Sequence, residues 1–168
     1  KEQKSLERKK KVIAVDSIST FRPFKACSLK NTEPLLLLYS DILSSNNAEE
    51  NFGIPGLKAM LTSLFPSILT VPLSQGLEKI RNLSSFRLFL AASGLSEDLS
   101  EYPVFNHLKR KGQKFEITFC VKNPSDVKKV RPFSRNIVST CGLQRENILA
   151  LRRFLISNKD KIGYTPLS

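Results

Sequence analysis

Apolar residues along this chain come in short runs, and the runs end at prolines or polar clusters. Residues 12–15 (Val, Ile, Ala, Val) are rich in β-branched side chains and stop at Asp16, which reads as a buried strand. Arg22-Pro23 makes residues 17–27 a turn or an edge strand, because proline cannot donate to a sheet ladder. Asn31, Thr32, Glu33 and Pro34 form a helix-start signal: a capping residue, an acid, then proline in the first turn. That helix is expected to run through Leu35, Leu38, Ile42 and Leu43, and residues 44–51 form a polar loop. Pro55 opens a second helix whose Leu57, Met60, Leu61, Leu64 and Phe65 make a one-faced apolar stripe, closed by Pro66.

Residues 68–71 read as a strand, residues 74–80 as a short helix capped by Ser74, and residues 86–92 as another strand. Ser96, followed by Glu97 and Asp98, reads as a helix start, with Pro103 limiting that helix. The clearest strand covers residues 114–122. Phe115, Ile117, Phe119 and Val121 alternate with Glu116, Thr118, Cys120 and Lys122, the period-2 pattern of a sheet with one buried face. Asn123, Pro124 and Ser125 start a helix expected to carry Val127, Val130, Ile137 and Val138, kinked or broken at Pro132 and ended by Gly142. A last helix covers residues 144–157.

The sum is three to five short strands packed with four to six helices. The polar face of residues 116–122 favours α+β, since strands covered on both sides are usually apolar throughout. Residues 1–11 hold only Leu6 as an apolar side chain and read as a basic arm or the end of an upstream helix, with residues 12–168 a single globular domain. The chain begins at Lys1 and not Met, which reads as a piece of a longer chain or a processed form. At 168 residues, 40% hydrophobic and 25% charged, it has enough apolar surface to fold. No run approaches the roughly 20 apolar residues of a membrane helix, and no apolar core of a signal peptide follows the basic N-terminus.

Charge changes the picture more than composition does. The net charge is +12, and it is segregated. Residues 1–30 hold nine Lys/Arg against three acids, residues 31–108 four against eight, and residues 109–168 fourteen against four. Such a balance points to a polyanionic partner.

Catalytic chemistry finds little support. The three cysteines are widely spaced, no C-x-x-C pair occurs, and His107 is the single histidine, so a zinc site would need all four to converge. Three reduced cysteines are the simpler reading. No G-x-S-x-G, G-x-x-x-x-G-K-[ST] or G-x-G-x-x-G string is present. Asp16, at the end of an apolar strand, is where a metal-dependent nuclease would place its first acid, with Asp41, Glu49, Glu50, Glu97, Asp98 and Glu101 available to join it. Residues 53–57 (Gly-Ile-Pro-Gly-Leu) are similar to the Gly-Ile-x-Gly-Leu opening of the flap-endonuclease-like nucleases. In that family the motif opens the chain and precedes the first acidic strand; here it is internal, and the later acidic clusters are missing. The likeness is therefore chance.

The basic features form three groups. Lys109, Arg110 and Lys111 precede Gly112 in a turn. Lys128, Arg131 and Arg135 lie at i, i+3 and i+7 of one expected helix, and Arg152 and Arg153 sit on the last one. Phe115 and Phe119 would stack bases only if their face were open, and a core role suits them better. The expected function is a non-catalytic module that binds nucleic acid, RNA or DNA, through its phosphates, within a larger nuclear or ribonucleoprotein factor. No metal or cofactor is called for. A scaffold domain that docks an acidic or apolar protein surface, as a homodimer or in a larger complex and in the cytoplasm, is the alternative.

Overall fold

Leu35, Leu36, Leu37 and Leu38 are all fully buried, two against each face of a sheet. In the computed structural model, which describes residues 34–44, 53–65, 67–83 and 86–158, this run is strand β1 (Leu35–Tyr39) and not a helix. A run that is apolar at every position suits a strand covered on both sides, and that requirement overrides the helix-start signal before it. Pro34 does no harm at the strand mouth. Its carbonyl accepts from the Arg87 N–H at 2.9 Å. The basic arm at residues 1–11, the strand at 12–15, Asp16, the segment 17–27 and most of the polar loop lie outside the described residues.

Four further strands complete one sheet: β2 (Ile68–Pro72), β3 (Arg87–Ala92), β4 (Ile117–Val121) and β5 (Ile137–Thr140). Their order is β2-β1-β3-β4-β5 and every pair is parallel. Parallel neighbours need a crossover, and helices supply it. These are α1 (Gly53–Thr62), α2 (Gly76–Arg81), α3 (Pro103–Lys111), α4 (Asp126–Val130) and α5 (Arg145–Ser157). Five strands and five helices among the described residues make the mixed α+β single domain that the pattern predicts.

The core lies in two layers. On one face Leu35, Leu37, Phe89, Ala91, Ile117, Phe119 and Val138 meet Ile54, Leu57 and Leu61 of α1 and Ile148, Leu151 and Leu155 of α5. On the other, Leu36, Leu38, Leu88, Leu90 and Cys120 meet Ile80 of α2, Val104, Phe105 and Leu108 of α3 and Val130 of α4. The face of Glu116, Thr118 and Cys120 is therefore buried, not solvated. Its polarity is satisfied internally: the Thr118 and Ser134 hydroxyls pair at 2.5 Å. Phe115 also departs from the expected alternation. It joins the layer of Cys120, because only a bridge to Ser134 and a bend at Glu116 precede β4.

Several helix boundaries differ from expectation: α1 ends at Thr62 and not at Phe65, and α2 starts at Gly76, after the 3-10 turn Leu73–Gln75, with Gln75 and not Ser74 at its N-cap. Pro103 opens α3 at its first turn and does not end a helix, as suits a residue with no N–H to satisfy. Asp98, rather than Ser96, caps the 3-10 turn Leu99–Glu101, accepting from the Ser100 N–H at 3.0 Å. The helix after Ser125 stops at Val130. The turn Arg131–Phe133 follows, and Ile137 and Val138 belong to β5. Pro132 is the cause, since it cannot donate inside a helix. Gly142 accordingly follows a strand, not a helix; its φ of 153° and its carbonyl, which accepts from Thr140 Oγ1 at 3.0 Å, shape the exit from β5.

Gly76 is a tight packing point. A Cβ there would stand 2.9 Å from Leu38 Cδ1, and Leu38 is fully buried. Gly76→Ala would gain about 1 kcal/mol of helix propensity but meet about 1–3 kcal/mol of overpacking. A net loss of about 1 kcal/mol is expected, and a lowered urea midpoint with unchanged slope would show it.

Candidate nucleic-acid interface

A helix that crosses between parallel strands runs back against them, so its C-terminus arrives at the N-terminal edge of the sheet. In this chain the helices on one face bring basic C-termini there, while α1 on the other face brings none. Arg81 ends α2, and Lys109, Arg110 and Lys111 end α3. Arg131 follows α4, and Lys114 precedes β4 at the same edge. All six are exposed. Gly112 closes α3 in the left-handed region (φ 65°), and the Gln113 N–H donates to the Leu108 carbonyl at 3.0 Å, so the helix end is satisfied and the basic turn is fixed.

Aromatic packing sets where that turn sits. The Phe105 ring meets Phe133 edge-on at 4.9 Å and Phe115 at 6.0 Å, which pins α3 to the Arg131–Phe133 turn and to the start of β4. Phe115 and Phe119 are both fully buried and offer no ring to a base. Cations near the last turn of a helix also complement its dipole, but that effect accounts for one or two charges per helix and not for the added Lys114.

The eight residues singled out in the sequence divide between surfaces. Lys109, Arg110, Lys111 and Arg131 come together at the N-terminal edge, and Lys128 is exposed on the short α4. Arg135 reaches the same edge just before β5, half-buried, with its Nε 3.3 Å from Glu116 Oε1. The expected single stripe of Lys128, Arg131 and Arg135 does not exist, because the chain changes from helix to 3-10 turn to extended backbone across them. Arg152 and Arg153 ride on α5, over the opposite layer. There Arg152 Nε donates to Ser63 Oγ at 3.2 Å. Arg81 and Lys114 were not singled out. Arg81 sits in the mildly acidic middle of the sequence, and only the packing of α2 beside α3 gives it basic neighbours.

His107, on α3 and half-buried, senses this concentration of charge. Burial lowers its pKa from the ordinary histidine value, and the nearby Arg110, Lys111 and Arg81 push it further down.

The opposite, C-terminal edge is richer in acid. Asp41, Glu97, Asp98, Glu101 and Glu146 lie there, with Lys122 and Arg145 among them. The strand order reverses between β1 and β3, which is where doubly wound sheets open a crevice. Here that mouth is tied together. The Ser93 N–H donates to Ser40 Oγ at 2.9 Å, and Asn123 Nδ2 donates to Ser93 Oγ at 2.9 Å. The buried Asp126 carboxylate accepts from the Gly94 and Leu95 N–H groups at 2.9 and 3.1 Å.

Burial, with the Asp126 charge beside it, pushes the Cys120 thiol up to about 12, the opposite of what a nucleophile needs. Cys141 is exposed, and Cys27 lies outside the described residues. Among the described residues no three His, Cys, Asp or Glu side chains gather as a metal site. Asp16, Glu49 and Glu50 are outside that set. No helix among the described residues is long and apolar enough to cross a membrane. In comparisons with known proteins the chain matches no family model, no curated protein and no solved structure.

Proposed function

We propose that this domain is a non-catalytic module that binds the phosphate backbone of a nucleic acid along the N-terminal edge of its sheet, as one part of a nuclear or ribonucleoprotein factor. One observation carries the reading. Arg81, Lys109, Arg110, Lys111, Lys114 and Arg131 stand exposed at a single edge, and among the described residues none of the six makes an ion pair. Cations left without carboxylates are free to displace counterions from a polyphosphate. Among the described residues no aromatic ring at the edge is fully exposed, so the contacts expected are to phosphates and not to base edges.

The test is binding of the domain to short duplex DNA, single-stranded DNA and RNA from about 50 to about 300 mM salt. Six phosphate contacts predict a log–log slope of about −5. Replacing Lys109, Arg110 and Lys111 by Ala should reduce that slope by about 3. Replacing Arg152 and Arg153, on the other layer, should leave it nearly unchanged. Equal losses from both sets would remove the assignment to this edge, and no binding at about 150 mM salt would send the search to an acidic protein surface.

A further inference from the structure

His107, Arg110 and Lys111 follow one another at i, i+3 and i+4 on α3, so their side chains share one stripe of the helix. Helix α2 packs beside α3 and ends at Arg81. These three cations are also the charges that act on the imidazole. Helix α2 also carries the exposed Glu78 and the half-buried Lys79 ahead of Arg81. Of the other elements packed on α3, the turn Leu73–Gln75 carries no charge, Leu99–Glu101 carries Glu101 at the far end of the helix, and Arg131–Phe133 carries Arg131. No carboxylate stands on the stripe itself. An imidazole flanked by three cations, none of them in an ion pair among the described residues, gains a stabilised protonated form when an anion arrives.

We infer that Arg81, His107, Arg110 and Lys111 form a phosphate subsite in which His107 is the pH-responsive member, so that polyphosphate binding tightens on acidification. The inference rests on the polyanion reading above and adds regulation to it. A phosphate seated on the stripe turns repulsion of the imidazolium into attraction, and both ring nitrogens become donors to its oxygens once protonated. Binding then takes up a proton. The sign follows from linkage: the His107 pKa is higher in the complex than in the free domain, so affinity rises as pH falls through the bound value and levels off below the free one. Each unit between the two is a tenfold change in affinity.

Two measurements on the full chain test it. The probe is a thymine oligonucleotide without terminal phosphates, whose phosphodiesters keep their charge across the range used. His107 is the chain's single histidine, so its imidazole NMR signal titrates without overlap. That titration should move up by about one unit when the oligonucleotide saturates the domain. Affinity should rise about tenfold from about pH 8 to about pH 5.5, and His107→Gln should keep the salt slope but flatten the pH profile. A His107 titration unmoved by the oligonucleotide overturns the inference, whatever the variant does. Salt-dependent binding with a flat pH profile overturns it alone, and absence of binding at every pH overturns it together with the parent reading.

Discussion

Replacing Phe89 by Ala is expected to remove about 4 kcal/mol of stability, the largest single effect in the core. Phe89 is fully buried at the middle of β3, the central strand of the sheet. Its ring packs edge-on against Phe65 at 5.8 Å and Phe119 at 6.1 Å. Truncation therefore loses the transfer energy of a phenyl ring and two aromatic contacts, and it leaves a cavity that flanking strands cannot close, because both are held by ladder bonds. Against a total of about 5–15 kcal/mol for a domain of this kind, the variant should melt well below the parent or populate the unfolded chain at room temperature. Leu149→Ala, at a position 41% exposed on α5, is the matched control and should change stability by less than about 0.5 kcal/mol. Urea unfolding of the pair checks the contrast. Equal losses would mean that α5 is covered in solution.

Asp126→Ala should cost about 3 kcal/mol, by a different route. The carboxylate is fully buried and each oxygen accepts one backbone N–H of the segment after β3. Lys129 Nζ lies 3.7 Å from Oδ1 and donates to the Leu95 carbonyl at 2.8 Å. Alanine would strand two N–H groups and leave a largely buried lysine without its nearest counter-charge. Asp126→Asn keeps the shape but turns an NH2 toward backbone donors, so it should recover less than half of the loss. Hydrogen exchange separates this from a general loosening. The Gly94 and Leu95 amides should lose protection first, ahead of β3 itself. If all three exchange together, Asp126 anchors the whole sheet and not the loop.

What was legible beforehand follows from how each signal is written. Helices α1 and α5 carry apolar stripes that no strand tolerates; α5 starts one residue after the expected position, and α1 starts two residues early and ends three short of Phe65. β1 was not legible, because Leu35 to Leu38 has no period and the helix-start signal before it is genuine in type. β5 was hidden for the converse reason. Ile137 and Val138 continue the spacing of Val127 and Val130, and only the unbroken pull of Pro132 argues for a change of structure. The polar alternation around β4 read as a wet face, but Thr118 pairs with Ser134 and Glu116 with Arg135, contacts between the approaches to β4 and β5 that a linear pattern does not contain. The candidate site was half visible for the same reason. Lys109 to Lys111 is a local cluster, whereas its union with Arg81, Lys114 and Arg131 depends on helices delivering their ends to one edge.

The placement of β1 also has a consequence for synthesis. Leu35 finds its partner in β2 at Ile68, and its partner in β3 only at Arg87, about fifty residues later. Neither pairing can be closed by a tight turn, so loop entropy must be met before any ladder bond rewards it. At about 5–20 residues per second, the four leucines leave the ribosome several seconds before the second strand that will cover them. Until β2 follows, the nascent chain exposes these four leucines with no strand partner, and until β3 follows one edge of β1 stays open, a window in which a chaperone that holds extended hydrophobic chain would find its ligand.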